Sequence, residues 1–158
     1  MLHPRHRVML ASVSAMAILL AGSIATVASQ PRDVTIVSHT ERGCPAPSST
    51  SCWFTATGAI DDDGTVISVP IVAGALASPV VGTAQWIKTY EGQQGSFTIR
   101  LESRVTIVGD SLQAAETGRW VIIDATGAYA GLEGRGSAWG TRDYGAQSLE
   151  ATLEGQVN

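Results

Sequence analysis

The chain has 158 residues, a formal net charge of −4 and 44% hydrophobic residues, which is enough for one globular core and too little for two. Its basic residues are scattered, nine arginines to the single lysine Lys88, so neither nucleic acid nor an anionic membrane is expected as a partner. Two cysteines without a Cys-x-x-Cys spacing argue against a metal or redox centre, and no cofactor is expected.

Residues 1–28 join a basic start, Arg5 and Arg7 with His3 and His6, to an uncharged apolar run from Val8 to Ala28. That is the pattern of an export signal, with small residues for cleavage at Thr26-Val27-Ala28 and Val27-Ala28-Ser29. A single mature domain, 29–158, is therefore expected outside the cell, and loss of Arg5 and Arg7 takes the net charge from −4 to −6. The alternative is an uncleaved membrane anchor, because the run approaches the ~20 residues that span a bilayer. Its richness in Ala and Ser rather than Leu favours cleavage.

Cys44 and Cys52 follow the signal, and in an oxidising compartment they are expected to pair. Closing a loop of about nine residues would restrict the unfolded chain by roughly 2.5 kcal/mol. Beyond them, helical periodicity is nearly absent. β-Branched and aromatic residues recur in short runs between Gly, Asp and Pro, predicting strands near 33–38, 53–59, 65–73, 80–90, 96–108, 118–124, 134–141 and 147–157, with a short extra one near 112–116. Asp61-Asp62-Asp63-Gly64 reads as a hairpin turn. It lacks the alternating ligands and distant glutamate of a calcium loop.

Two strands alternate cleanly. Phe97, Ile99, Leu101, Val105 and Ile107 oppose Thr98, Arg100, Glu102, Arg104 and Thr106, and Leu149, Ala151, Leu153 and Val157 oppose Glu150, Thr152, Glu154 and Gln156. Strands 66–72 and 120–123 are apolar on both faces, which predicts cover from a second subunit and a homo-oligomer. The glycines at 127, 131, 134 and 136 permit positive φ and close backbone approach at a barrel rim. The predicted fold is all-β, an eight-stranded antiparallel closed barrel whose interior is filled or holds one small ligand. An immunoglobulin-like sandwich is the rival, weakened because Cys44 and Cys52 are too close in sequence for an inter-sheet bridge.

The sequence runs Gly95-x-Phe97, then Gly118-x-Trp120-x-Ile122, then Thr126-Gly127-x-Tyr129, then Gly131-Leu132, Gly134 and Gly136. This segment, about a third of the mature chain, resembles bacterial secreted members of the allene oxide cyclase and dirigent-like barrel group. The resemblance implies an oligomeric barrel that guides a reactive intermediate by shape, without a cofactor, as cyclase, isomerase or coupling guide. Ala125 stands where that pattern has its first glycine, so the local turn is expected to be tighter or shifted. The catalytic residues of the plant enzymes do not map onto this chain.

Trp86, Tyr90 and Trp120 are the candidates for lining a ligand cavity, against the plainer role of filling it. Trp86, Lys88 and Tyr90 share a strand face, which fits either an exposed cation–π ladder or an interior site. Tyr129 and Leu132 are spaced to pack together as a plug if 127–132 makes one helical turn. Asp124 is placed to bond the amides of that turn, or to act as an acid or base if buried. Glu102 with Arg100 and Arg104 reads as a solvated face, and His39 has no matched catalytic partner. No Gly-Lys-Ser/Thr or Gly-x-Ser-x-Gly motif occurs. The expected function is binding of an apolar or aromatic small molecule, with or without catalysis; the alternative is a non-catalytic extracellular interaction module.

Overall fold

The computed structural model describes residues 30–41, 52–73, 81–109 and 112–158. Residues 1–28, expected above to be an export signal, and Cys44 lie outside them. The rest forms β1 (Arg32–Glu41), β2 (Trp53–Gly58), β3 (Asp62–Ala73), β4 (Val81–Gly92), β5 (Gly95–Ile107), β6 (Gln113–Gly127), β7 (Gly134–Asp143) and β8 (Ser148–Val157). Each strand pairs antiparallel with the next, and β1 pairs with β8 from Arg32 opposite Val157 to Glu41 opposite Ser148. The result is a closed up-and-down barrel, which excludes the two-layer sandwich.

Two details differ from the sequence reading. The short segment near 112–116 and the strand from 118 are one continuous β6, because Gly118 lies within the ladder and faces the backbone of Glu102 and Ser103. The hairpin between β2 and β3 turns at 59–61, so Asp62 and Asp63 already belong to β3. Gly58 makes that bend possible with φ +97°, and the Ala59 amide donates to the Asp33 carbonyl at 2.9 Å.

Alternation decides what fills the barrel. Phe97, Ile99, Leu101, Ser103 and Val105 of β5 are buried, while Arg100, Glu102 and Arg104 face water, with Arg100 Nε 3.7 Å from Glu102 Oε1. One half of the interior is aromatic: Tyr90 stacks on Phe97 at 4.9 Å between centroids, and Phe54 and Tyr129 meet them edge-on. Trp120 belongs to the same core, lying beside Gly136 and Gly155, where a Cβ on Gly155 would stand 2.6 Å from its Cζ2. The indole Nε1 donates to the carbonyls of Ser137 and Glu154 at 3.0 and 3.3 Å.

On the outside, Val69, Ile71 and Ile123 are exposed, as are Trp53 and Trp139. The two greasy strands are not neighbours. β4 and β5 separate them, and the outward row Val69, Ile87, Arg100, Val121 is broken by a charge.

Candidate functional site

The end of the barrel that carries the 59–61, 93–94 and 128–133 connections is sealed by one carboxylate. Asp62 Oδ1 accepts from the amides of Asp63 and Gln93, both at 2.9 Å, and Oδ2 accepts from the Gln94 amide at 3.1 Å and the Tyr129 hydroxyl at 2.7 Å. Burial works to raise the Asp62 pKa, but these four donors outweigh it and hold the carboxyl below its ordinary value. Tyr129 is pushed up in turn, by burial first and then by Asp62. The segment before Leu132 makes consecutive three-residue turns, Tyr129 to Thr126, Ala130 to Gly127 and Leu132 to Tyr129, with Gly127 and Gly131 at φ +64° and +81°. Tyr129 is thus the predicted plug, and Leu132 packs against the same core. Asp124 is exposed and does not cap the turn.

On the far side of Tyr90, which belongs to both parts, the interior is different in kind. β4 turns Trp86, Lys88 and Tyr90 inward, opposite Leu101, Ile99 and Phe97 of β5, because Gln85, Ile87 and Thr89 take the outer face. Lys88 is fully buried. It is therefore an interior residue and not a rung of an exposed ladder. The cation over an aromatic ring is Arg142, whose guanidinium carbon lies 4.9 Å from the Trp86 centroid.

Arg142 comes from β7 and Glu116 from β6. Glu116 Oε2 accepts from Arg142 Nη2 at 2.9 Å, and Oε1 accepts from the Ser103 hydroxyl at 2.6 Å. Both carboxylate oxygens are thereby occupied, and two cations share one anion. Among the described residues Lys88 Nζ has no hydrogen-bond partner, and neither do Tyr90 OH, Trp86 Nε1 and Ser38 Oγ, so four buried polar groups there lack partners. Burial lowers the Lys88 pKa to about 8; Glu116 opposes that shift and Arg142 reinforces it. Burial likewise drives the Tyr90 phenol above its ordinary value. The Ser38 hydroxyl counteracts this, although the pair does not meet hydrogen-bond geometry.

Of the residues singled out in the sequence, Trp86 and Tyr90 belong to this cluster, and Trp120 does not. Trp120 is fully satisfied and borders a separate outer concavity of about 1200 Å³, where β6 leaves β7 beyond Val121, with Asp124, Leu132 and Arg135. Size alone would favour that groove, but none of the buried unpartnered polar atoms lines it. The void beside Ser103, Glu116 and Leu101 is only about 10 Å³, room for one water at most. Glu116, Arg142 and Ser103 escaped the sequence reading. They lie on three strands, and only register brings them together.

His39 sits on the outer wall, stacked on Trp53 at 6.0 Å and within 3.2 and 3.5 Å of Glu41 and Glu150. Cys52 is buried just before β2. Among the described residues no group of three or more His, Cys, Asp or Glu side chains is arranged to hold a metal ion. Comparison of the chain with protein-family models, with characterised proteins and with solved structures gives no match.

Proposed function

We propose that this chain is an exported barrel that binds, in its interior, a small molecule with an apolar or aromatic body and an acidic or strongly hydrogen-bond-accepting head. The observation that carries the reading is the set of unpartnered buried donors, Lys88 Nζ, Tyr90 OH, Trp86 Nε1 and Ser38 Oγ, beside a local excess of positive charge. Buried donors without acceptors cost about 1–3 kcal/mol each, more when charged, so an acceptor that engages several at once is strongly favoured. Aromatic neighbours supply the apolar contact. The head sits among Lys88 and Arg142 and the body along Trp86 and Tyr90, and since the closed barrel leaves only about 10 Å³ beside Glu116, the wall has to open for the ligand to enter.

The likeness of segment 95–136 to allene oxide cyclase and dirigent-like barrels supports the same picture, in which a cavity guides a cyclisation, isomerisation or coupling without a cofactor. Export through segment 1–28 from a bacterial cell, a Cys44–Cys52 bridge, and self-association through the exposed side chains of β3 and β6 complete the proposal.

The test is tryptophan fluorescence titration with aromatic and fatty carboxylic acids against their methyl esters. Acids are expected to bind at least about tenfold tighter, a difference of about 1.4 kcal/mol, and Lys88→Met and Arg142→Met are expected to erase the preference. Equal binding of acid and ester would overturn the acidic-head reading. A second reading, a non-catalytic interaction module, draws on the packed aromatic half and the small void. Silence across the whole panel would favour it.

A further inference from the structure

The molecule spends its one lysine in an unusual place. Every other fixed cation in the chain is an arginine, and an arginine already stands at the site, holding Glu116 and covering Trp86. A site that needed only another permanent charge would be served by a second guanidinium, which stays protonated and offers five donors. An ammonium differs in one chemically decisive respect, since it can surrender its proton and become a nucleophile. Lys88 Nζ is wholly buried and is held by no acceptor that would pin its proton.

We infer that Lys88 forms an imine with an aldehyde- or ketone-bearing ligand inside the barrel. This deepens the binding reading above and rests on it: the ligand is a carbonyl compound that also carries the acidic head. The neutral amine attacks the carbonyl carbon, and the new C–N bond forms as the carbonyl oxygen takes up a proton to give a carbinolamine. That hydroxyl then leaves as water, carrying off the second hydrogen of the amine, and a C=N bond remains. No oxidant or reductant is consumed. Tyr90 OH, two residues along the same inward face, is a buried hydrogen-bond donor without an acceptor, and Glu116 is the anion that interacts with the charge on this nitrogen. The lowered pKa of Lys88 works in the same direction, leaving about half the amine unprotonated at pH 8.

The experiment treats the intact folded protein at pH 8 with glyoxylate, 4-formylbenzoate or neutral benzaldehyde in the presence of cyanoborohydride, which reduces an imine to a stable secondary amine. Peptide mass spectrometry then locates the label. With one lysine, the α-amino group is the only other amine. Lys88 is expected to be labelled about tenfold faster in the folded protein than in the same chain unfolded in urea, as a larger free-amine fraction and a bound ligand require. Lys88→Arg and Lys88→Met should leave only the α-amino label, and the comparison of folded with unfolded wild-type chain holds even if a variant fails to fold. Label confined to the α-amino group, or Lys88 labelled no faster folded than unfolded, overturns the imine. If acids still bind without covalent capture, the imine falls and the binding reading stands. Rapid labelling of Lys88 by benzaldehyde and by the acids alike keeps the imine and removes the acidic head.

Discussion

The two halves of the barrel interior handle buried polar groups in opposite ways. Around Asp62 every acceptor site is filled: three backbone amides and the Tyr129 hydroxyl converge on one carboxylate, and three connections are tied together by it. Around Lys88 a carboxylate is saturated by Ser103 and Arg142, yet four further polar atoms on β1 and β4 have none. The first arrangement stabilises. The second is retained against its cost, and a group that costs stability is where function is sought.

That contrast can be broken at either end. The largest effect is expected for Glu116→Ala, which leaves Arg142 and Lys88 as unbalanced buried cations and should cost about 3–5 kcal/mol in urea denaturation. A smaller loss would mean that the cations reach water. Asp62→Asn should follow, losing about 2–3 kcal/mol as an amide nitrogen is forced against amide donors. In the wild type the Asp62 contribution is present at neutral pH and is lost as pH falls through its depressed folded value, below the ordinary carboxylate range. The Asp62→Asn variant, with nothing to titrate there, should show a flatter acid limb.

The Lys88 half is expected to respond with the opposite sign. Lys88→Met should raise stability at pH 7 by about 1–3 kcal/mol, because the folded protein holds the charged amine below its ordinary affinity for a proton. Below pH 8 that cost is fully present. As pH rises from about 8 towards 10 the unfolded chain still binds the proton that the folded chain has released, so wild-type stability climbs, and in Lys88→Met it should not. Above about pH 10 the unfolded phenols ionise while buried Tyr90 and Tyr129 resist, and stability falls again. A wild-type curve with no rise between 8 and 10 would mean that Lys88 is not desolvated. The smallest effect belongs to the outer wall. Glu102→Ala removes an exposed contact to Arg100 and should change stability by less than about 0.5 kcal/mol.

Strand content and the closed barrel were legible from the sequence, because alternation in 97–107 and 149–157 allows only one buried face and short regular runs between turn residues leave little else to build. Boundaries were legible except around Gly118, where two expected runs are one β6, and at Asp62, which reads as a turn residue by composition but works as a strand residue whose carboxylate points inward to gather amides from 93–94. The site was half legible. Trp86, Lys88 and Tyr90 share a face in any strand, yet which face is inner depends on pairing with 97–101, and pairing is non-local. Glu116 and Arg142 gave no local signal: Glu116 follows two alanines and Arg142 stands beside Asp143, and they meet only because Glu116 pairs with Gly140 and Ala114 with Arg142 across β6 and β7.

The ladder between β1 and β8 also governs how the molecule assembles. Every other pairing joins strands consecutive along the chain, but Arg32 meets Val157 only after all the intervening hairpins have found their places. Circularisation is thus a late and slow step, and until it happens two long unpaired rims are presented to other chains. Residues of β1 and β8 should accordingly acquire protection from solvent exchange last during refolding, and refolding yield should depend on protein concentration more than the finished barrel's surface suggests.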